Sequence, residues 1–522
     1  VNQKTLLVER DVPIKMRDKV VLRADVYRPD TTERVPVLLQ RTPYGKGFAG
    51  TAFALLAAER GYAVVNQDTR GRWASEGDGY PWVHEKADGY DTVQWAAAQS
   101  WSDGQVGTFG MSYMGYTQFA AASTHPPALK TIIPNVTFCD PYTVGFRGGA
   151  VALGAGVSWN LLAGALMAVM QHSGNEPERQ ALMAQLVAAV DGMSRGETFR
   201  HLPLQGLPLI GRDGLVQFLA DSIEHPTRDG YWESMGCPHT DIAIPALHIG
   251  GWYDIFIGDT TRDYAAIRQR GDPRQKLLIG PWTHGNYQPD VGEVDFGLQA
   301  AGHLVMPDEL HLRWFDYWLK GIENGIMKEP PVRIFVMGEN RWRFEEEWPL
   351  SRTRYSRFYL HSGGGANGLA GDGHLTPEPP VDEAVDSFVY DPRNPVPTRG
   401  GGLCCWGAAL PPGAYDQREI ESRPDILVYT TPVLEQGLEV TGPLQVHLWA
   451  ASSAPDTDFA AKLVDVSPCG YARNVQDGIV RARYREGSGT PTFIKPGEVY
   501  EYTIDLSATS NLFKAGHRIR LE

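Results

Sequence analysis

The sequence predicts an α/β protein: a parallel, doubly wound sheet, interrupted by a helical insertion and followed by a β-sandwich. Three observations carry this prediction. Over residues 35–133, short unbroken apolar runs typical of buried strands alternate with segments of helical spacing. From about residue 140 to 239 only helical patterns occur. Beyond about residue 345, Gly-rich and Pro-rich runs separate short strands of alternating character.

Taken in order, residues 6–14 and 20–27 alternate around Arg17-Asp18 as a hairpin at the sheet edge. Strands are expected at 35–40, 62–67, 105–109 and 131–133, with helices at 52–59, 87–98 and 113–122 between them. The insertion carries helical patterns at 161–170, 176–190 and 215–222. The sheet resumes with strands at 244–249 and 276–279, separated by an amphipathic helix at 260–270 and followed by another at 311–320. This divides the chain into a core (1–139 and 241–345), a helical cap (140–240) and a sandwich (346–522) with strands at 426–429, 444–450 and 459–466. Residues 518–522 still read as a strand, so the sandwich is expected to be incomplete where the sequence stops.

Length and charge narrow the function classes. At 522 residues, several domains are expected. The balance of 62 acidic against 48 basic residues gives a net charge of −14, without a basic block, which argues against nucleic acid or an anionic membrane as partner. Five cysteines without C-x-x-C spacing indicate neither a disulfide framework nor a zinc site, and Cys404-Cys405 is read as packing rather than redox chemistry. No metal is expected, since no H-E-x-x-H is present. The uncharged stretch 148–174, which includes His172, is rich in Gly and Ala; it is read as buried helices broken by those residues beside a pocket, not as a membrane span. No signal pattern begins the sequence, so cytoplasm is the expected compartment; a homodimer is left open.

The chemistry is concentrated in three segments. Residues 104–115, GQVGTFGMSYMG, read as a strand that ends in a glycine-flanked serine and runs directly into a helix. In a nucleophile elbow the serine adopts a strained turn that small neighbours permit, and Gly110 and Gly115 supply that clearance around Ser112. The fit to G-x-S-x-G is imperfect, because Met114 stands where the second glycine belongs. An ordinary helix N-cap is the alternative for Ser112.

Two later loops are built alike. One apolar strand runs into Gly251-Trp252-Tyr253-Asp254, another into Pro281-Trp282-Thr283-His284-Gly285. A serine hydroxyl is a poor nucleophile until a neutral imidazole takes its proton, and a buried carboxylate holds that imidazole in the correct tautomer. Ser112, Asp254 and His284 fit these roles in chain order. Asp259 is the rival acid, a turn further from the strand end, and His248 reads as a core histidine inside an apolar strand. The oxyanion needs two donors: the backbone N–H of Tyr113 and, since the loop after the third strand lacks a glycine run, the hydroxyl of Tyr44.

These segments together resemble the CocE/NonD family of serine hydrolases, the relatives of cocaine esterase and X-prolyl dipeptidyl peptidase. The family's elbow resembles G-x-S-Y-x-G, which this chain has at Gly110 to Gly115. Arg41-Thr42-Pro43-Tyr44 is similar to its oxyanion loop, Asp68-Thr69-Arg70-Gly71 to its D-x-R-G turn, and the two tryptophan loops to its acid and histidine loops. Ser422-Arg423-Pro424-Asp425, Val440-Thr441-Gly442-Pro443 and residues 454–459 extend the likeness to the C-terminal part. The resemblance implies an α/β-hydrolase core, a helical cap, a jelly-roll domain completing the cleft, and acyl transfer through an acyl-enzyme without cofactor, with Tyr44 and the Tyr113 amide as oxyanion hole.

One departure bears on substrate. The α-amino acid ester hydrolases use acidic side chains two and three positions after the triad aspartate to bind an ammonium; here those positions are Phe256 and Ile257, which cannot pair with a charge. A small-molecule ester with a neutral, bulky or aromatic acyl group is therefore expected, in a pocket lined by Tyr44, Tyr113, Phe256 and Trp159, with Leu403 or Trp406 contributed by the last domain. The alternatives are an amide-cleaving acylase or X-prolyl aminopeptidase on the same triad and, more remotely, a non-catalytic carbohydrate-binding protein.

Overall fold

The computed structural model describes residues 5–48, 50–171, 174–306 and 308–522. His172 lies outside them. A ten-stranded sheet forms the core. Strands β1 (Leu6–Lys15) and β2 (Val21–Pro29) pair antiparallel as the edge hairpin. They are followed by β3 (Val35–Thr42), β4 (Ala63–Asp68), β5 (Ser102–Met111), β6 (Leu129–Asn135), β7 (Ala246–Tyr253), β8 (Gln275–Thr283), β9 (Val332–Val336) and β10 (Arg341–Glu345). The spatial order is β1-β2-β4-β3-β5-β6-β7-β8-β9-β10. From β4 to β9 every neighbouring pair is parallel. Strands β3, β7 and β8 are buried along their whole length, because helices cover both faces of a parallel sheet; this is why they read as unbroken apolar runs.

The connecting helices are α1 (Thr51–Glu59), α2 (Glu85–Ala97) and α3 (Tyr113–Ala122). Every residue of α3 is buried, so the helix that follows Ser112 is fixed on all sides.

The insertion opens with a continuous helical stretch, α4 (Leu153–Met170), long and apolar enough by length and composition to cross a membrane. The sequence reading expected its glycines to break it. Instead it runs unbroken and widens to a π-helix over Asn160–Ala165. Helix α5 (Glu176–Ser194), capped by Asn175 and Glu178 in a capping box, and α6 (Phe218–Glu224) pack against it around Leu161, Leu186 and Leu219. Both ends of the insertion meet one side chain. Asp263, on α7 (Ile257–Gln269), accepts the Cys139 N–H at 2.9 Å and pairs with His239 Nε2 at 2.7 Å.

After α8 (Asp308–Lys320) the chain is rich in strands: β11 (Tyr359–His361), β12 (His374–Thr376), β13 (Tyr429–Thr430), β14 (Leu438–Ala450), β15 (Asp458–Val466), β16 (Ala472–Arg481), β17 (Tyr500–Phe513) and β18 (Arg518–Leu521). They form a six-stranded sheet, β11-β12-β13-β18-β15-β16, and the long hairpin-like pair β14-β17. Both sheets contribute to one apolar cluster around Val480, Tyr502 and Ile504. The strand expected at 426–429 is reduced to Tyr429–Thr430. This region braces the core at the end of β7: Gln476 Nε2 donates to Trp252 O at 2.7 Å, and the Tyr253 hydroxyl donates to Asn474 O at 2.8 Å.

Candidate active site

At the end of β5 the chain turns into α3 through Ser112, whose φ of 58° and ψ of −123° lie where a side-chain-bearing residue is strained. The turn is over-determined. The Ser112 N–H donates to Asn135 O at 2.9 Å, and the Thr137 hydroxyl donates to Ser112 O at 2.8 Å. A Cβ on Gly110, itself at φ 134°, would lie 2.7 Å from the Cβ of Met114, and one on Gly115 would lie 2.6 Å from that of Thr137. The second glycine therefore comes one position late because residue 115, not 114, faces the neighbouring loop.

The two tryptophan loops share a packing logic. A Cβ on Gly251 would lie 2.3 Å from Trp282 O, and one on Gly280 2.4 Å from the Trp282 ring, so one glycine clears the Trp282 backbone and the other its buried indole. Each indole is then anchored by one hydrogen bond, Trp252 Nε1 to Phe335 O and Trp282 Nε1 to Ala300 O, both at 2.7 Å. Two residues beyond each anchor lies the polar group. His284 Nδ1 is 2.6 Å from Asp254 Oδ2, and His284 Nε2 is 3.0 Å from Ser112 Oγ. Asp254 is 1% exposed, and its Oδ1 accepts the Phe256 N–H at 2.7 Å. An ionised carboxylate only accepts, so Nδ1 carries the proton and Nε2 is left to accept from the serine hydroxyl.

The other two candidates lie elsewhere. Asp259 pairs with Arg147 at 3.2 Å and Arg262 at 3.0 Å. His248 is buried, bonds Gln275 Oε1 at 3.0 Å, and burial pushes its pKa down to about 4.

Tyr44 is held beside the serine. Its N–H donates to Thr42 Oγ1 at 3.0 Å, its side chain lines the same cavity as Ser112, and Trp159 Nε1 donates to its hydroxyl at 3.0 Å. Burial pushes the Tyr44 pKa up, which keeps the phenol protonated and able to donate. The Tyr113 amide, in the first turn of α3, is among those with no intrahelical acceptor. The Tyr113 side chain points away, donating to Glu85 Oε1 at 2.9 Å, while Glu85 Oε2 accepts from Arg41 Nη1 at 2.6 Å. One buried carboxylate thus ties the Tyr44 loop to the elbow.

Next to Ser112 opens a cavity with about 690 Å³ of empty volume, its mouth included. Trp82, Tyr113 and Trp159 stack along one wall, with Trp159 lying 12° from Tyr113 and 16° from Trp82. Tyr44, Tyr113, Trp159 and Phe256 all line it, and none of the described residues that line it is charged. Leu403 and Trp406 do not. The two residues between them, Cys404 and Cys405, line it instead and are joined by a disulfide, so reading this pair as packing alone needs correction. Trp406 packs against the cap and donates to Ser194 Oγ at 3.1 Å. Trp82, Phe218 and Asn160 were not foreseen, because cap and loop residues reach the cavity through tertiary placement that leaves no periodic signal.

One group of described residues has metal-ligand chemistry: the donor atoms of Cys139, His239 and Asp263 lie within 4.8 Å of one another. The carboxylate is already shared between His239 and the Cys139 amide, which makes the group a latch at the base of the cap.

A Ser–His–Asp constellation on strand-end loops of a parallel sheet defines a hydrolytic enzyme of the α/β-hydrolase class. Residues 18–286 match the family model of the X-Pro dipeptidyl-peptidases (S15 family), and residues 324–522 match their C-terminal non-catalytic domain. The chain belongs to this family. It is 41% identical over 525 residues to a cocaine esterase of Rhodococcus sp. (strain MB1 Bresler), covering 99% of this chain and 90% of that protein. Among solved structures, it is similar to an α-amino acid ester hydrolase (25% identity, TM-score 0.76, 99% of this chain and 89% of that one). It is also similar to an aminopeptidase from a marine sediment Thaumarchaeota archaeon (25% identity, TM-score 0.75, 99% and 88%).

Proposed function

We propose that this protein is a serine esterase that transfers a neutral, bulky or aromatic acyl group to Ser112 and then to water. The observation that carries the acyl preference is the absence of any charged side chain among the residues lining the cavity beside Ser112. An apolar wall of stacked aromatics accepts a flat, uncharged group, whereas a substrate ammonium would be left without a counter-charge. The 41% identical cocaine esterase supports the ester reading.

In this mechanism Ser112 Oγ attacks the ester carbonyl as His284 Nε2 takes its proton, and Asp254 stabilises the imidazolium. The Tyr44 hydroxyl and the Tyr113 N–H receive the oxyanion. His284 then returns the proton to the leaving alkoxide, and a water, activated by the same imidazole, releases the acid. The core (1–139 and 241–345) supplies these groups, the cap (140–240) most of the cavity, and a jelly roll (346–522) its remaining wall.

The second reading, a peptidase or acylase on the same triad, is favoured by the name of the family model. A fluorophosphonate probe and an ester series run beside matched anilides separate the readings. We expect labelling at Ser112 that Ser112→Ala abolishes, and ester turnover far above that of anilides. Comparable anilide turnover would favour the acylase, and an unlabelled Ser112 would remove both.

A further inference from the structure

Away from the hydroxyls of Ser112, Tyr44 and Ser222, the mostly apolar residues lining the cavity include two that carry a buried polar atom without a hydrogen-bond partner. Asn160 is 1% exposed and Trp82 is 3% exposed, both line the cavity, and neither Asn160 Oδ1 nor Trp82 Nε1 has a partner among the described residues. The orientation of the Asn160 amide is fixed by its neighbour. Its Nδ2 donates to Gly156 O at 2.8 Å, and the flipped amide would set oxygen against oxygen. The unused atom is therefore an acceptor. Asn160 also opens the π-helical segment Asn160–Ala165, a feature that recurs at functional sites.

A buried amide oxygen left unpaired is costly, and an apolar acyl group would leave it so. From this we infer that the acyl group carries a hydroxyl. A hydroxyl is the small neutral group that can donate to Asn160 Oδ1. The stacked rings of Trp82, Tyr113 and Trp159 fit a flat group, so the substrate class is an ester of a hydroxylated aromatic acid. Asn160 is its specificity-determining residue. A carboxylate or ammonium on the ring is rejected, because no lining residue has the opposite charge.

This inference rests on the esterase reading, and the test separates the two. Esters of benzoic, 3-hydroxybenzoic and 3-methoxybenzoic acid with one common leaving group are compared by kcat/KM; the methoxy ring has similar electronics but cannot donate. Wild-type enzyme is expected to prefer the hydroxyl over the methoxy ester by about tenfold to a hundredfold, the range for a buried group left unpaired. In Asn160→Leu that ratio falls toward one, whatever the absolute rate, because both esters meet the same preparation. Should the variant not fold, the wild-type ratio decides alone. Equal rates for the hydroxyl and methoxy esters in wild type, or a ratio unmoved in Asn160→Leu, overturn the inference and leave the esterase standing; no turnover of any of the three esters removes the esterase reading itself.

Discussion

The indole Nε1 of Trp159 donates to the hydroxyl oxygen of Tyr44 across 3.0 Å, joining the cap to the loop that follows β3. An indole can only donate, so Tyr44 is the acceptor here and its own proton is directed elsewhere. Ser112 lines the same cavity as Tyr44. A residue of the cap thereby sets the direction of a donor in the core.

If Tyr44 receives the oxyanion, Tyr44→Phe lowers kcat by about a hundredfold or more with little change in KM, the size of a lost oxyanion donor. Steady-state kinetics on an ester checks this, and an unchanged kcat takes Tyr44 out of the role.

Trp159→Phe keeps a ring on the stack with Tyr113 and Trp82 but removes the N–H. The expected loss in kcat is about tenfold, the scale of one neutral hydrogen bond. Combined with Tyr44→Phe it should add almost nothing, since the indole works through a hydroxyl no longer present. Additive losses would mean that Trp159 acts on the substrate directly.

Much of this site was legible in the chain because its geometry is local. Strand, glycine, tryptophan and polar residue recur within a few positions at Gly251 to Asp254 and at Gly280 to His284, and both glycines are dictated by Trp282, one by its backbone and one by its indole. The late glycine at 115 was legible as a departure, yet only the approach of Thr137 explains it. The cavity wall was far less so. Trp82 precedes α2, Phe218 lies in the cap and Cys404 in the last domain, and what brings them together is packing between segments over three hundred residues apart. The expected Leu403 and Trp406 each lie one position from the residues that line the cavity, Cys404 and Cys405, in a segment without regular secondary structure where side-chain direction has no period.

His248 gives a pH signature unrelated to catalysis. Its folded-state pKa of about 4 lies below the usual 6.5, so the unfolded chain binds the extra proton first as pH falls. The stabilisation is complete above about pH 6.5 and is lost between there and pH 4, amounting to about 3 kcal/mol at most. Melting curves of wild type and His248→Gln should diverge at neutral pH and converge toward pH 4. A constant gap between them would show that the histidine does not take part.

The latch at Asp263 has an evolutionary consequence. A loop of about a hundred residues leaves and re-enters the sheet at one carboxylate, and the entropy of closing such a loop rises by only about 0.6 kcal/mol for each doubling of its length. The insertion can therefore change in length at little entropic cost, with the triad left in register beneath it. Ser112, Asp254 and His284 all lie outside the insertion, while Trp159 within it holds the Tyr44 hydroxyl, so the length of the loop is free but the position of that one indole is not.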